Sequence, residues 1–141
     1  MRFLASEQHD EINNLFIQAF NKLDEGNTVK AQKIAEHAWS LLPEPKYDWD
    51  VTLSLVSDIC EMYRELSLFE SSHKIVDELI SSGHLKEYQD GPLFLKGTIY
   101  FEQGKTDEAK QWFDKANTIS KGRCFVGEPK KYKAFFDEYT K

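Results

Sequence analysis

Four histidines, two cysteines and 24 carboxylates are the side chains that could hold a metal or move a proton. Their spacing decides whether they do. His9, His37, His73 and His84 form no HExxH pair and no His/Cys pair at metal-ligand spacing. His37 and His73 fall on separate helical stretches, so all four are expected to be surface or internally satisfied residues. Cys60 and Cys124 make no CxxC motif, and two cysteines are too few for a disulfide framework. Cys60 lies in an apolar helical stretch and reads as a small core residue. That suits a reducing compartment. Asp48-Trp49-Asp50 presents two carboxylates that could bind a metal. The segment sits at an expected helix start, where acids oppose the positive end of the dipole, so capping by Asp48 is the expected role. No glycine-rich phosphate loop exists, because Gly91-Pro92 and Gly122 stand alone, and no Gly-x-Ser-x-Gly elbow is present. The expectation is a protein with no catalytic site, no metal and no cofactor.

Charge narrows the partners. Eighteen basic residues against 24 acidic ones leave a formal net charge of -6. A nucleic-acid surface needs a basic stripe to displace counterions, so nucleic acid is not expected. A basic protein partner is mildly favoured. The 10 Phe, 6 Tyr and 3 Trp exclude a disordered chain. A length of 141 residues fits one domain over 1–141. Met1 to Ser6 are followed at once by Glu7, Asp10 and Glu11, which is not a leader pattern. No run approaches 18 uncharged apolar residues. A cytoplasmic protein that engages no membrane is therefore expected.

The elements that position these side chains are helices. Gly26, Pro43-Glu44-Pro45, Gly83, Gly91-Pro92, Gly104 and the stretch from Gly122 to Pro129 separate segments whose apolar residues recur at three and four. The pattern predicts helices over 8–25, 28–42, 49–66, 68–82, 92–103, 106–120 and about 129–139. Thr28 and Thr106 are the expected N-caps of two of them. Ser67 with Glu70 has capping-box spacing. Cys124-Phe125-Val126 reads as the extended start of a loop. The fold class is all-α, with short turns.

An internal repeat organises the helices. Gly97, Tyr100, Gly104, Ala109, Phe113 and Ala116 are spaced 3, 4, 5, 4 and 3 apart. This resembles the tetratricopeptide repeat. Gly97 and Ala109 would let paired helices approach closely, and Gly104 would make the turn. A first copy matches through Ala19, Gly26, Ala31, Ala35, Ala38 and Pro43. The middle copy keeps Cys60, Tyr63, Phe69 and Leu79 but has Ser67 at the turn and Ser72 at the small position. The copies begin near 12, 53 and 90, separations of 41 and 37 against a unit of about 34. The resemblance implies three antiparallel hairpins, about 8–42, 48–83 and 92–121, stacked as a short right-handed array. The segment 122–141, with Phe125, Tyr132, Phe135, Phe136 and Tyr139, is suited to cap its end, the alternative role being a partner-binding helix.

In that family the first helix of each pair lines a concave face. Carried over by position, the resemblance implies Asn13, Phe16, Phe20, Leu23 and Asp24 from the first copy. It implies Ser54, Ser57, Glu61, Arg64 and Glu65 from the second, and Gly91, Phe94, Thr98, Phe101 and Glu102 from the third. The partner-binding set is then Phe16, Phe20, Asp24, Glu61, Arg64, Glu65, Phe94, Phe101 and Glu102. Aromatic anchors beside charge are what protein interfaces use. Family members that hold chaperone carboxylates place Lys, Arg and Asn here; an acidic groove would repel that ligand. Small acidic proteins of this kind with a tail like Gly122 to Tyr132 resemble bacterial immunity proteins of contact-dependent or Rhs-type toxin systems. The resemblance implies a basic toxin domain as partner, bound by a monomer or weak dimer. The alternative is a chaperone or assembly adaptor that binds a client peptide or helix.

Overall fold

The computed structural model describes residues 1–139. Thr140 and Lys141, the end of the expected capping segment, lie outside the described residues. Among the described residues seven α-helices run in chain order: α1 (Ser6–Asp24), α2 (Thr28–Ser40), α3 (Thr52–Glu65), α4 (Phe69–Ser81), α5 (Gly91–Glu102), α6 (Thr106–Ser120) and α7 (Lys130–Tyr139). A single 3₁₀ turn, Arg123–Phe125, precedes α7. The protein is all-α; among the described residues the one β-type pairing is an isolated bridge between Arg2 and Trp49. The chain divides into two compact units, Met1–Ile75 and Val76–Lys141, with the division inside α4.

The helices join through one turn form, used three times. Gly26 and Gly104 sit at φ +82°, and Ser67 sits at φ +59° in the equivalent place. In each turn the next residue donates back to the helix just ended: Asn27 N to Lys22 O, Leu68 N to Tyr63 O, and Lys105 N to Tyr100 O, at 2.8–2.9 Å. Each following helix opens on the same bond, from Ala31 N to Asn27 O, Ser72 N to Leu68 O and Ala109 N to Lys105 O. A left-handed residue satisfies carbonyls that the helix end leaves unpaired, and glycine adopts that conformation without a Cβ penalty. Ser67 adopts it with one. Its capping-box role is therefore replaced by a turn role. Ser67→Gly is expected to stabilise the chain by about 0.5–1 kcal/mol, the steric relief being partly offset by a more flexible unfolded chain. Urea unfolding of the two proteins measures the difference, and an unchanged or lower midpoint in the variant would count against a strained turn.

The first residue after each turn sets where the next helix begins. Asn27 caps α2, its side chain accepting from Lys30 N at 3.2 Å, so Thr28 lies one residue inside the helix. Lys105 holds the matching position before α6, again displacing a threonine, Thr106, into the first turn. Small residues follow: Ala31, Ser72 and Ala109 are completely buried. Ser72 Oγ donates to Cys60 O at 2.8 Å and Cys60 Sγ lies 3.4 Å from Ser72 O, so two small polar side chains close the contact between α3 and α4. A buried hydroxyl needs such a partner.

In the first unit α1 packs along α2, and α2 along α3. Ile12, Phe16, Ala19, Ala31, Ala35 and Ala38 form the buried seam of the α1–α2 hairpin. Tyr63 donates its hydroxyl to Glu36 at 2.7 Å, tying α3 to α2. The stretch after α2 is an ordered turn. Lys46 Nζ donates to the carbonyls of Trp39 and Leu42 at 2.9 and 2.7 Å, a basic group at a helix C-terminus. Trp49 Nε1 donates to Pro43 O at 2.9 Å.

The Asp48-Trp49-Asp50 segment does not cap α3, which starts three residues later than predicted and has Val51 at its N-cap. It holds the N-terminal segment instead. Arg2 N donates to Asp48 O, Asp50 N donates to Arg2 O, and Leu4 N donates to the Asp50 carboxylate, all within 3.0 Å. The terminal amine and Arg2 both face the Asp48 carboxylate, at 3.9 and 3.6 Å.

In the second unit α5 and α6 pack as a hairpin, and the 3₁₀ turn and α7 fold onto α6. Cys124-Phe125 is a buried helical turn, where an extended loop start was expected. Lys121 and Gly122 both have positive φ and turn the chain sharply after α6. Cys124 N then donates to Ser120 Oγ at 2.9 Å. Phe94, Phe113, Phe125, Tyr132 and Phe136 form the core with Ala109 and Ala116. Their rings meet edge-on or tilted, as between Phe94 and Tyr132 at 5.9 Å and 90°.

Candidate functional site

The nine residues of the expected binding face divide by burial. In the first unit Phe16 is 2% exposed and belongs to the hairpin core. The expected groove position is thus shielded from solvent in this unit. Phe20 is half-buried, and Asp24 is exposed at the end of α1. On α3, Arg64 is buried down to 8% of its side chain. Its Nη2 atom lies 3.6 Å from Glu61 and 3.3 Å from Glu65. The structure therefore brings Glu61, Arg64 and Glu65 together, with both carboxylates exposed and the guanidinium beneath them. Part of the acidic charge expected to meet a partner is compensated on its own helix.

In the second unit Phe94 is 5% exposed and packs on Phe113 and Phe125 at 5.2 and 5.3 Å. Phe101 meets Tyr132 and Phe135 at 5.4 and 5.1 Å. Glu102 accepts from Tyr132 at 3.3 Å and pairs with Lys131 at 2.6 Å. These three residues are brought together, but α7 occupies the face they form. Phe94 is core, and Phe101 and Glu102 are engaged by α7. A terminal helix needs an apolar seat, and this hairpin provides it.

Asp58 was not anticipated. It precedes Glu61 by three residues and Glu65 by seven, so all three carboxylates share one side of α3. Burial, and then the Glu61 charge, pushes the Asp58 carboxyl up to about 6 from its ordinary 3.8. Burial also raises Glu61, opposed by Arg64. An acid raised on folding retains a proton that the unfolded chain releases. Its effect on stability is most favourable below pH 4 and is lost as pH climbs through 6. Asp58→Asn is expected to match the parent near pH 4 and to melt at a higher temperature at pH 7. Thermal melts at both values test it; a variant with the parent's own pH dependence would remove Asp58 as its source.

The remaining polar groups have structural partners. Lys96, buried in α5, makes an ion pair with Asp77 and lies over the rings of Tyr100 and Trp112 at 5.2 and 5.3 Å. A buried ammonium needs that compensation. His9 shares a hydrogen bond with Asn13 at 3.0 Å, one turn along α1. Burial raises the Cys124 thiol, which makes it less reactive. Among the described residues no group of three or more His, Cys, Asp or Glu is placed to hold a metal. No helix among them is long and apolar enough to cross a membrane.

Comparison of the chain with protein-family models, with characterised proteins and with solved structures finds no match.

Charge is distributed unevenly along the chain. Residues 1–75 contain thirteen acidic and seven basic side chains, whereas residues 76–141 contain eleven of each. The whole net charge of -6 thus resides in the first unit. In that unit Glu7, Asp10 and Glu11 on α1 make no ion pair among the described residues, and neither does Asp24. The first three line a groove of about 530 Å³ between α1 and His37 of α2. The signal was present in the sequence, because Glu7, Asp10 and Glu11 cluster there.

Proposed function

We propose that the chain is a non-catalytic, protein-binding array of tetratricopeptide-like hairpins. It acts as an immunity protein that binds one cationic toxin domain and neutralises it by occlusion. The observation that carries this reading is the concentration of all the net negative charge in residues 1–75, with α1 carboxylates left unpaired. Unpaired surface acids steer a cationic partner and raise its association rate. The threefold recurrence of one turn, at Gly26, Ser67 and Gly104, supports a repeat origin for the hairpins. The buried thiols suit a reducing compartment, the cytoplasm. On this reading the protein works without metal or cofactor.

The test is to co-express the chain with the polypeptide encoded beside its gene and to measure stoichiometry, association rate and toxicity. A one-to-one complex that forms more slowly as salt rises, and that relieves toxicity, is the expected result. Salt-insensitive binding to apolar segments of many proteins would instead establish the chaperone or adaptor role and remove the immunity reading.

A further inference from the structure

The acids first expected to meet a partner are largely engaged within the chain. Glu61 and Glu65 flank Arg64, and Glu102 meets Lys131 and Tyr132. The outward face of α1 is different. Positions three, four and seven apart share one side of a helix. On α1 one such side carries Asp10, Asn13, Asn14, Ile17, Phe20, Asn21 and Asp24, and no basic residue. Ile17 is 59% exposed at its centre, with half-buried Phe20 beside it. Asp10 and Asp24 stand exposed at the two ends, neither in an ion pair among the described residues. Along the same face, Asp10 and Asn14 border the groove of about 530 Å³ shared with Leu15 and His37.

An apolar centre with a charged rim is how protein interfaces are organised, and the sign of the rim selects the occupant. We propose, on the basis of the protein-binding reading above, that this face of α1 docks a cationic amphipathic helix of the partner. Its apolar side rests on Ile17 and Phe20, and its lysines or arginines stand opposite Asp10 and Asp24. From Asp10 to Asp24 the face is about 21 Å long, enough for four turns of a partner helix. An anionic segment is repelled at both ends. A cationic segment without apolar side chains leaves Ile17 exposed.

The test uses a peptide of about eighteen residues, with leucines spaced as on one helix face and lysines elsewhere, titrated into the ¹⁵N-labelled full chain. Amide shifts confined to residues 10–24 and the adjoining turn of α2 around His37 are expected. Affinity should fall by about tenfold or more in Ile17→Asp and in the Asp10→Lys, Asp24→Lys pair, and should be unchanged in the Glu61→Gln, Glu65→Gln pair. Ile17 is exposed, so these variants should keep the parent's helical circular dichroism, and Ile17→Ser provides a second, milder probe. Three results would each overturn the docking face: no saturation at millimolar peptide, shifts centred elsewhere, or equal binding by a peptide with serine in place of leucine. Failure of the function reading looks different. No complex then forms with the polypeptide of the neighbouring gene, whereas a complex indifferent to the α1 substitutions overturns the docking face alone.

Discussion

Replacing Tyr132 with alanine is expected to destabilise the second unit by about 3–5 kcal/mol, the range for truncating a fully buried aromatic side chain. Tyr132 is 1% exposed although it comes from a helix of ten residues at the end of the described chain. Its ring lies 5.9 Å from Phe94, 5.4 Å from Phe101 and 5.9 Å from Phe113, so removal opens a cavity at the meeting point of α5, α6 and α7. The rings around that cavity are held by other rings and cannot collapse into it. The hydroxyl matters less. Tyr132→Phe loses one hydrogen bond to Glu102, 3.3 Å long, and is expected to cost about 0.5–1 kcal/mol. Urea unfolding followed by circular dichroism gives both values. Hydrogen exchange should show protection lost first in α5–α7. A Tyr132→Ala penalty below about 1 kcal/mol would mean that α7 is not integral to this core.

Gly97→Ala is the second large effect, and its direction opposes helix propensity. Alanine inside a helix is favoured over glycine by about 1 kcal/mol. Here a Cβ would lie 2.7 Å from two ring carbons of Phe113, well inside ordinary carbon contact of about 3.5–4 Å. Phe113 is fully buried and packed on Phe94, Phe125, Tyr132 and Phe135, so its ring has no room to withdraw. Overpacking of this kind costs about 1–3 kcal/mol, and set against the propensity gain of about 1 kcal/mol the expected net loss reaches about 2 kcal/mol. The decisive measurement is a double-mutant cycle with Phe113→Leu. The smaller side chain should cost clearly less in the Gly97→Ala background than in the parent, because it relieves the clash. Simple additivity of the two substitutions would place the cost of the added methyl somewhere other than against Phe113.

Helices were legible because apolar residues recur at three and four and glycine or proline ends most of the runs, the one between α3 and α4 excepted, and every predicted helix is present. Their starts were less legible. Ser67 has no sequence mark of a left-handed residue. Only the recurrence of the hydrogen bonds around Gly26 and Gly104 reveals its role. Asp48 carries the composition of a cap, yet its carboxylate is drawn to the terminal amine and Arg2, partners 46 or more residues away that no local pattern exposes.

The proposed binding face was the least legible part. Position-by-position carry-over assumes a long open groove. In this chain Phe16 is buried, and the aromatic side chains of α7 cover Phe94 and engage Phe101. Ile17, at the centre of the proposed docking face, lies neither on the expected buried stripe nor at a carried-over position. Its significance comes from solvent exposure, which spacing alone does not report.

The two thiols, one in each unit and both shielded, supply a pair of reporters without engineering. A maleimide pulse followed by intact-mass measurement would count opening at Cys60 and at Cys124 as separate labelling events. The fragility of each half of the chain could then be timed independently in one sample, with the adducts assigned by proteolytic mapping.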